Sequence, residues 1–421
     1  MRSKKILLLL FFISFAIEPF AQDLSYAKGI CRLLCSDEFA GRGYVNAGDE
    51  KAAQLIRTQM KEMGLKGMGD NYYQKFGFEV VCYPDRVQLK VDAYDLIPGK
   101  DFIINPGCPS ISGTFNILTI DSAILDNTVQ YKQLFSSKTR NYFLEVSQVK
   151  SLHLLHPERL DAILKNQVKA KGLIYTNLEK LTWSVAQHFA DFPIVYVLKN
   201  TLKEKPLSIE LKIDAAFKLH QTQNVIGKIT GKKYPDSLIV ITAHYDHLGM
   251  MGSFAKFPGA NDNASGVAMM LDLAKYFNKK GSDYSILFIA FAAEEVGLLG
   301  SLYYTENPLL PLQQIKLLLN LDLMSTGDKG MMVVNGTEFP DLFEQLKFQN
   351  SIGSYLPSIQ ARGKAANSDH YYFSEKGVPA LFFYLMGEYH NYHDIDDDFE
   401  ALTFSRYNEC FQLISDFIAG F

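Results

Sequence analysis

Leu238-Ile239-Val240-Ile241-Thr242-Ala243-His244-Tyr245-Asp246-His247 is the stretch whose reading decides the fold. A short unbroken apolar run rich in β-branched residues reads as a strand buried on both faces, as in a parallel sheet covered by helices. Its end turns polar at once, with His244, Asp246 and His247 in succession. Toward the C-terminus, apolar runs recur at Ser285 to Phe291, Ile315 to Leu321, Met331 to Val334 and Val378 to Leu385. Helical patterns start between them near Ala264, Leu298, Asp341 and Asp369, and a last helix covers about Arg406 to Ile418. Strands alternating with helices predict an α/β fold over residues 223–421, a mixed β-sheet flanked by helices.

Toward the N-terminus the pattern changes. Residues 73–222 carry short alternating or β-branched runs, such as Val87-Gln88-Leu89-Lys90-Val91 and Phe102-Ile103-Ile104, broken by Pro, Gly and Asn. These predict a β-rich insert. Residues 22–72 return to helical spacing, in Tyr26, Ala27, Ile30, Leu33 and Leu34 and again in Ala52, Ala53, Leu55, Ile56, Met60 and Met63. They read as a helical N-terminal part of the domain that residues 223–421 complete. Ahead of them, Arg2, Lys4 and Lys5 precede an apolar run from Ile6 to Ile17, too short to span a bilayer comfortably. Residues 1–21 therefore read as a secretory signal peptide, which predicts an exported protein, periplasmic or extracellular, with no stable membrane insertion after cleavage.

Composition narrows the function classes. The 42 Lys+Arg against 46 Asp+Glu give a formal charge of -4, and no basic block interleaved with aromatics occurs, so the footprint of a nucleic-acid binder is missing. The five cysteines are irregularly spaced and leave at least one unpaired, which matches neither a zinc knuckle nor a disulfide framework. Cys31 and Cys35, one helical turn apart, read as buried thiols.

In wound sheets, ligands gather at the carboxyl ends of strands, so the polar residues just after each apolar run form the candidate site. They are His244-Tyr245-Asp246-His247, the loop Gly259-Ala260-Asn261-Asp262-Asn263-Ala264-Ser265-Gly266, Glu294-Glu295, Asp322, and Tyr392-His393-Asp394. Each of these acids alone is commonly a helix cap or a solvated group; the ordered set is not. Two imidazoles and three carboxylates suit zinc and, less selectively, cobalt or manganese. Three ligand carboxylates and a hydroxide would balance two divalent cations, whereas one cation would leave excess buried negative charge.

With these motifs in view, residues 224 to the end resemble the secreted bacterial zinc aminopeptidases, in Ala243 to Gly249, Gly259 to Gly266, Glu294-Glu295, Leu321-Asp322, Ser368-Asp369-His370 and Tyr392-His393. Ser36-Asp37-Glu38-Phe39-Ala40-Gly41-Arg42-Gly43 is similar to the same family. The resemblance implies the zinc exopeptidase fold of phosphorylase/hydrolase type and a peptide substrate. More weakly, Val168 to Tyr175 and Phe192 to Val197 resemble a protease-associated β domain, which would shape access to the metals or bind a partner.

Carried over residue by residue, the resemblance implies two Zn2+ per chain, with Asp262 bridging both. His244 and Asp322 would complete one site, Glu295 and His393 the other. Glu294 would be the general base acting on a water between the cations, and Tyr392 the hydroxyl donor to the tetrahedral oxyanion. A cis peptide at Asp262-Asn263 is also implied. Asp246, two residues beyond His244, is placed to accept the second imidazole N–H and fix its tautomer. His247 and His370 belong to matching motifs without an assigned role. Two alternatives stay open: a glutaminyl cyclase-like enzyme with a single zinc, and a non-catalytic receptor-like binding protein. Substrate side-chain preference, aminopeptidase against carboxypeptidase or dipeptidase action, and oligomeric state are not specified by the sequence.

Overall fold

The computed structural model describes residues 23–202 and 204–421; the signal-peptide reading falls on residues 1–21, outside the described residues. Each apolar run of the catalytic part becomes a strand: Tyr234–His244, Tyr284–Phe291, Ile315–Leu321, Gly330–Val334 and Ala380–Met386. The strand Tyr234–His244 pairs in parallel with Tyr284–Phe291 on one side and Ile315–Leu321 on the other, and Ala380–Met386 extends the parallel set. Gly330–Val334 then pairs antiparallel with Ala380–Met386, and Ile359–Arg362 closes that edge. On the opposite edge Ala216–Ile229 runs antiparallel to Tyr284–Phe291, which makes the sheet mixed.

The unbroken apolar character of the central strands has a direct cause, since both their faces are covered. Ile239, Ile241, Ile286 and Phe288 face one layer, with the helix Ser265–Lys280 and the N-terminal helices Leu24–Leu34 and Gly48–Glu62. Leu238, Val240, Leu287 and Ile289 face the other, against Tyr304 and Phe373. The helix Leu24–Leu34 starts where the Asp23 side chain accepts the Tyr26 N–H at 2.9 Å, and it buries Ala27, Ile30, Cys31 and Leu34. All five cysteines are free and buried, Cys31 and Cys35 as their one-turn spacing predicts.

The insert forms a second sheet of eight strands, from Val87–Val91 to Ser208–Ile213. Its limits are narrower than residues 73–222. The strand Tyr73–Cys82 pairs along its whole length with Ala216–Val225 in the large sheet, so both ends of that span belong to the catalytic layer. Alternating burial marks a strand with one covered face and does not say which sheet supplies its partner. The second sheet mixes antiparallel pairs with a parallel run through Ile111–Thr119, Tyr142–Val146, Gly172–Leu178 and Ile194–Leu198. Its core takes in Leu248, Met251, Ala255 and Phe257 from the hairpin that follows the strand Tyr234–His244. No helix among the described residues is long and apolar enough to cross a membrane.

Candidate metal centre

Parallel strands end on the same side, so their last residues converge. His244 closes the central strand; Glu294 and Glu295 follow Tyr284–Phe291; Asp322 follows Ile315–Leu321; His393 lies on the loop after Ala380–Met386. Asp262 comes from the loop ahead of the helix Ser265–Lys280. Its two carboxylate oxygens face different imidazoles: Oδ1 is 3.2 Å from His244 Nε2, and Oδ2 is 3.2 Å from His393 Nε2. His244 Nε2 also lies 3.4 Å from Asp322 Oδ2, and His393 Nε2 lies 3.2 Å from Glu295 Oε2. Two groups of three candidate ligands thus share one carboxylate.

The donor chemistry fits cations. His244 Nε2 and Asp322 Oδ1 are buried without a hydrogen-bond partner, and His244 Nε2 faces Asp262 Oδ1 and Asp322 Oδ2. Unpaired buried polar atoms cost free energy unless an ion or water satisfies them. Burial opposes charging His244, yet Glu294, Asp322 and Asp262 outweigh it and lift its pKa well above the usual histidine value. Burial likewise opposes charging His393, and the carboxylates Glu295 and Asp262 push it up to about 11. Asp262 goes the other way: burial resists its ionisation, but His244 and His393 hold it well below the usual range. This cluster of acids draws positive charge onto the two imidazoles, a charge that two divalent ions would supply with the imidazoles neutral.

Positioning residues surround the set. The Asp262 loop is fixed by Asp397, whose carboxylate accepts Asn261 N–H at 2.7 Å and Asp262 N–H at 3.1 Å and also binds the Tyr389 hydroxyl. Arg42, fully buried, donates to the carbonyls of Tyr245, Leu34, Pro258, Gly259 and Asp262. Gly259 has φ 61°, and a Cβ there would stand 2.3 Å from Asp262 O and 2.4 Å from His247 Cδ2. The Asp262-Asn263 peptide is cis. Ser368 Oγ donates to Asp322 Oδ2 at 3.2 Å and is itself held by Asn320 Nδ2 at 2.8 Å.

Asp246 does a different job from the one its spacing predicts. Its carboxylate is 3.9 Å from His244 Nδ1, while its backbone carbonyl sits 3.1 Å from that nitrogen. The chain leaves the strand at His244, so the two-residue alternation no longer sets the side chain's direction. The carboxylate instead accepts Glu294 N–H at 3.1 Å, Glu295 N–H at 3.3 Å and the Tyr44 hydroxyl at 2.6 Å. Burial raises its pKa to about 6. Through these bonds it fixes the backbone of the glutamate pair.

His247 gains a place: its Nδ1 is 2.6 Å from Glu295 Oε1, so it holds the carboxylate oxygen turned away from His393. It also clusters with Asp262 and Glu295, with Nδ1 engaged by Glu295 and Nε2 buried without a hydrogen-bond partner. His370 is buried against Phe382, and burial lowers its pKa to about 4. Tyr392 stacks on His393, ring centroids 4.0 Å apart and 13° from parallel, with the side chain about half exposed at 48%. Burial and the nearby carboxylates Asp262 and Glu295 keep its phenol protonated.

Comparison with known proteins agrees with this geometry. Residues 224–418 match the model of Peptidase family M28. The chain is 25% identical to Aminopeptidase YwaD of Bacillus subtilis over 387 residues, 88% of this chain and 78% of that protein. Among solved structures, a zinc aminopeptidase from Bacillus subtilis superposes with a TM-score of 0.67 at 23% identity, covering 95% of this chain and 94% of the other. An aminopeptidase from Aneurinibacillus sp. strain AM-1 gives 0.62 at 22% identity over 94% and 93%. The matched segment carries every strand-end acid and imidazole described above and spans just under half of the chain, which over that segment is similar to Peptidase family M28.

Proposed function

We propose that this zinc metallopeptidase is an aminopeptidase that works with two zinc ions per chain and releases N-terminal residues from peptides. The observation that carries the reading is Asp262, whose two oxygens each lie 3.2 Å from a different imidazole. His244, Asp262 and Asp322 would hold one ion, and Asp262, Glu295 and His393 the other. Bound there, the pair supplies Lewis acidity and lowers the pKa of an attacking water.

The chain's own residues do the rest. The Glu294 carboxylate makes no hydrogen bond among the described residues, and it lies beside His244 and Glu295. Burial, together with Glu295, Asp369 and Asp322, raises its pKa well above the usual value. Glu294 takes a proton from the attacking water and delivers it to the leaving amine, the new N-terminus of the shortened peptide. Asp246 fixes this group by binding the backbone N–H of Glu294. Tyr392, protonated and half exposed over His393, presents its hydroxyl to the oxyanion of the tetrahedral intermediate. The second sheet is of the protease-associated type, and export is directed by the basic and apolar N-terminal sequence.

Peptides with free and blocked termini test the activity. The zinc-loaded protein should cleave a free N-terminal residue and ignore an N-acetylated peptide of the same sequence. Cleavage of the acetylated peptide from its C-terminus would replace aminopeptidase by carboxypeptidase action. Cyclisation of an N-terminal glutamine without hydrolysis would favour the single-zinc cyclase reading, and inertness of the zinc-loaded protein the receptor-like one.

A further inference from the structure

Residues 179–193 connect two strands of the inserted sheet, Gly172–Leu178 and Ile194–Leu198, without a helix or strand of their own. A long irregular connection inside a packed protein is usually functional. This one runs beneath the loop that carries His393. Trp183 N–H donates to His393 O at 2.9 Å, and His393 Nδ1 faces Trp183 O at 3.0 Å, so the two residues bind each other reciprocally. Lys180 Nζ donates to His390 O at 2.5 Å and Tyr392 O at 3.0 Å, and pairs with Asp394 Oδ2 at 2.9 Å.

The loop needs such support. His393 has φ 57°, in the left-handed region that disfavours a residue with a Cβ. Such a conformation persists only where the surroundings hold it. Within the catalytic domain, among the described residues, the ring of His393 meets the carboxylates it serves, the stacked ring of Tyr392 and, edge-on, the ring of His247, none of which holds Nδ1. The fixed points lie in the insert. Trp183 is 4% exposed, donates its indole N–H to Ile104 O at 3.0 Å, and stacks on Phe257 at 4.8 Å. Its backbone carbonyl is therefore anchored in the core of the second sheet, and by accepting from Nδ1 it leaves Nε2 as the free ligand nitrogen.

We propose that the inserted domain completes the second metal site: Trp183 sets the tautomer and direction of His393, and Lys180 positions the loop that bears it. Both are positioning residues, and the inference rests on the two-zinc reading above. The insert is then part of the metal centre and not a detachable accessory. The site made by His244, Asp262 and Asp322 has no partner in this segment, so disturbing the clamp should weaken one zinc selectively.

The test is a zinc titration of the full chain against a chelator of known affinity, with His393→Ala marking loss of the second site. Lys180 is 40% exposed at its side chain, so Lys180→Met leaves packing intact. Emission from Trp183, the single tryptophan of the chain, reports that the second sheet stays folded. Wild type should bind two zinc ions, Lys180→Met should bind the second about 10- to 100-fold more weakly with the first unchanged, and Lys180→Arg should restore most of the loss. Wild-type affinity at both sites in Lys180→Met, or equal weakening of both, overturns the proposal. A wild type that binds a single zinc refutes the two-zinc reading itself, and the inference falls with it.

Discussion

Arg42 is the buried cation on which the Asp262 loop hangs, and replacing it by lysine separates charge from geometry. The guanidinium uses all three nitrogens: Nε reaches Tyr245 O at 2.8 Å, Nη1 reaches Leu34 O at 3.1 Å and Pro258 O at 2.6 Å, and Nη2 reaches Gly259 O at 2.6 Å and Asp262 O at 3.3 Å. A lysine ammonium has three donors at one point, so at least two buried carbonyls lose their partner. Each unsatisfied buried acceptor costs about 1–3 kcal/mol, which puts Arg42→Lys at about 2–6 kcal/mol. That is a large fraction of a typical folding free energy of about 5–15 kcal/mol. Equilibrium urea unfolding of the zinc-free protein measures it, as a lower midpoint at unchanged slope. Zinc affinity should fall as well, because Gly259 and Asp262 belong to the loop that carries the shared carboxylate. A loss below about 1 kcal/mol would show that the five bonds do not act together and would refute the reasoning.

Other consequences are equally open to measurement. Glu294→Gln should keep both zinc ions and lose activity by roughly a hundred- to ten-thousand-fold, since the amide cannot accept the proton; turnover close to wild type removes Glu294 from the reaction. Asp397→Asn replaces an acceptor of three hydrogen bonds by a group that accepts at one oxygen, and should weaken zinc binding about 10- to 100-fold; unchanged affinity would mean that the Asp262 loop holds itself. Asp272 is held by Asp23 N–H, and burial raises its pKa to about 6. A raised folded pKa means that its favourable contribution is complete below the unfolded value near 4 and is lost as pH rises through about 6. Asp272→Asn should therefore improve in stability relative to wild type by about 2–3 kcal/mol between pH 4 and pH 8, read by urea unfolding at both; a difference independent of pH rules this out.

How much of this was legible in the sequence depends on the range of the interaction. The strands Tyr234–His244, Ile315–Leu321 and Ala380–Met386 announce themselves because burial on both faces leaves an unbroken apolar run. Parallel pairing then brings the polar residues at their ends together, and for that reason His244, Glu295, Asp322 and His393 meet in space. The boundary of the insert was not legible, since Tyr73–Cys82 alternates like any half-covered strand and its partner lies far along the chain. Asp397 sits in the acidic run Asp394-Ile395-Asp396-Asp397-Asp398, where nothing local separates a buried acceptor from its solvated neighbours. Arg42 was visible only within a motif similar to the family, and its five carbonyl partners come from three separate segments. Trp183 and Lys180 act through backbone carbonyls, which no residue pattern records.

Anomalous diffraction at the zinc edge from crystals of the zinc-loaded protein tests the central claim most directly. The account predicts two peaks per chain, one among His244, Asp262 and Asp322 and the other among Asp262, Glu295 and His393, each about 2 Å from its imidazole nitrogen. A single peak, or a peak bound by His247 with His393 left free, would contradict it.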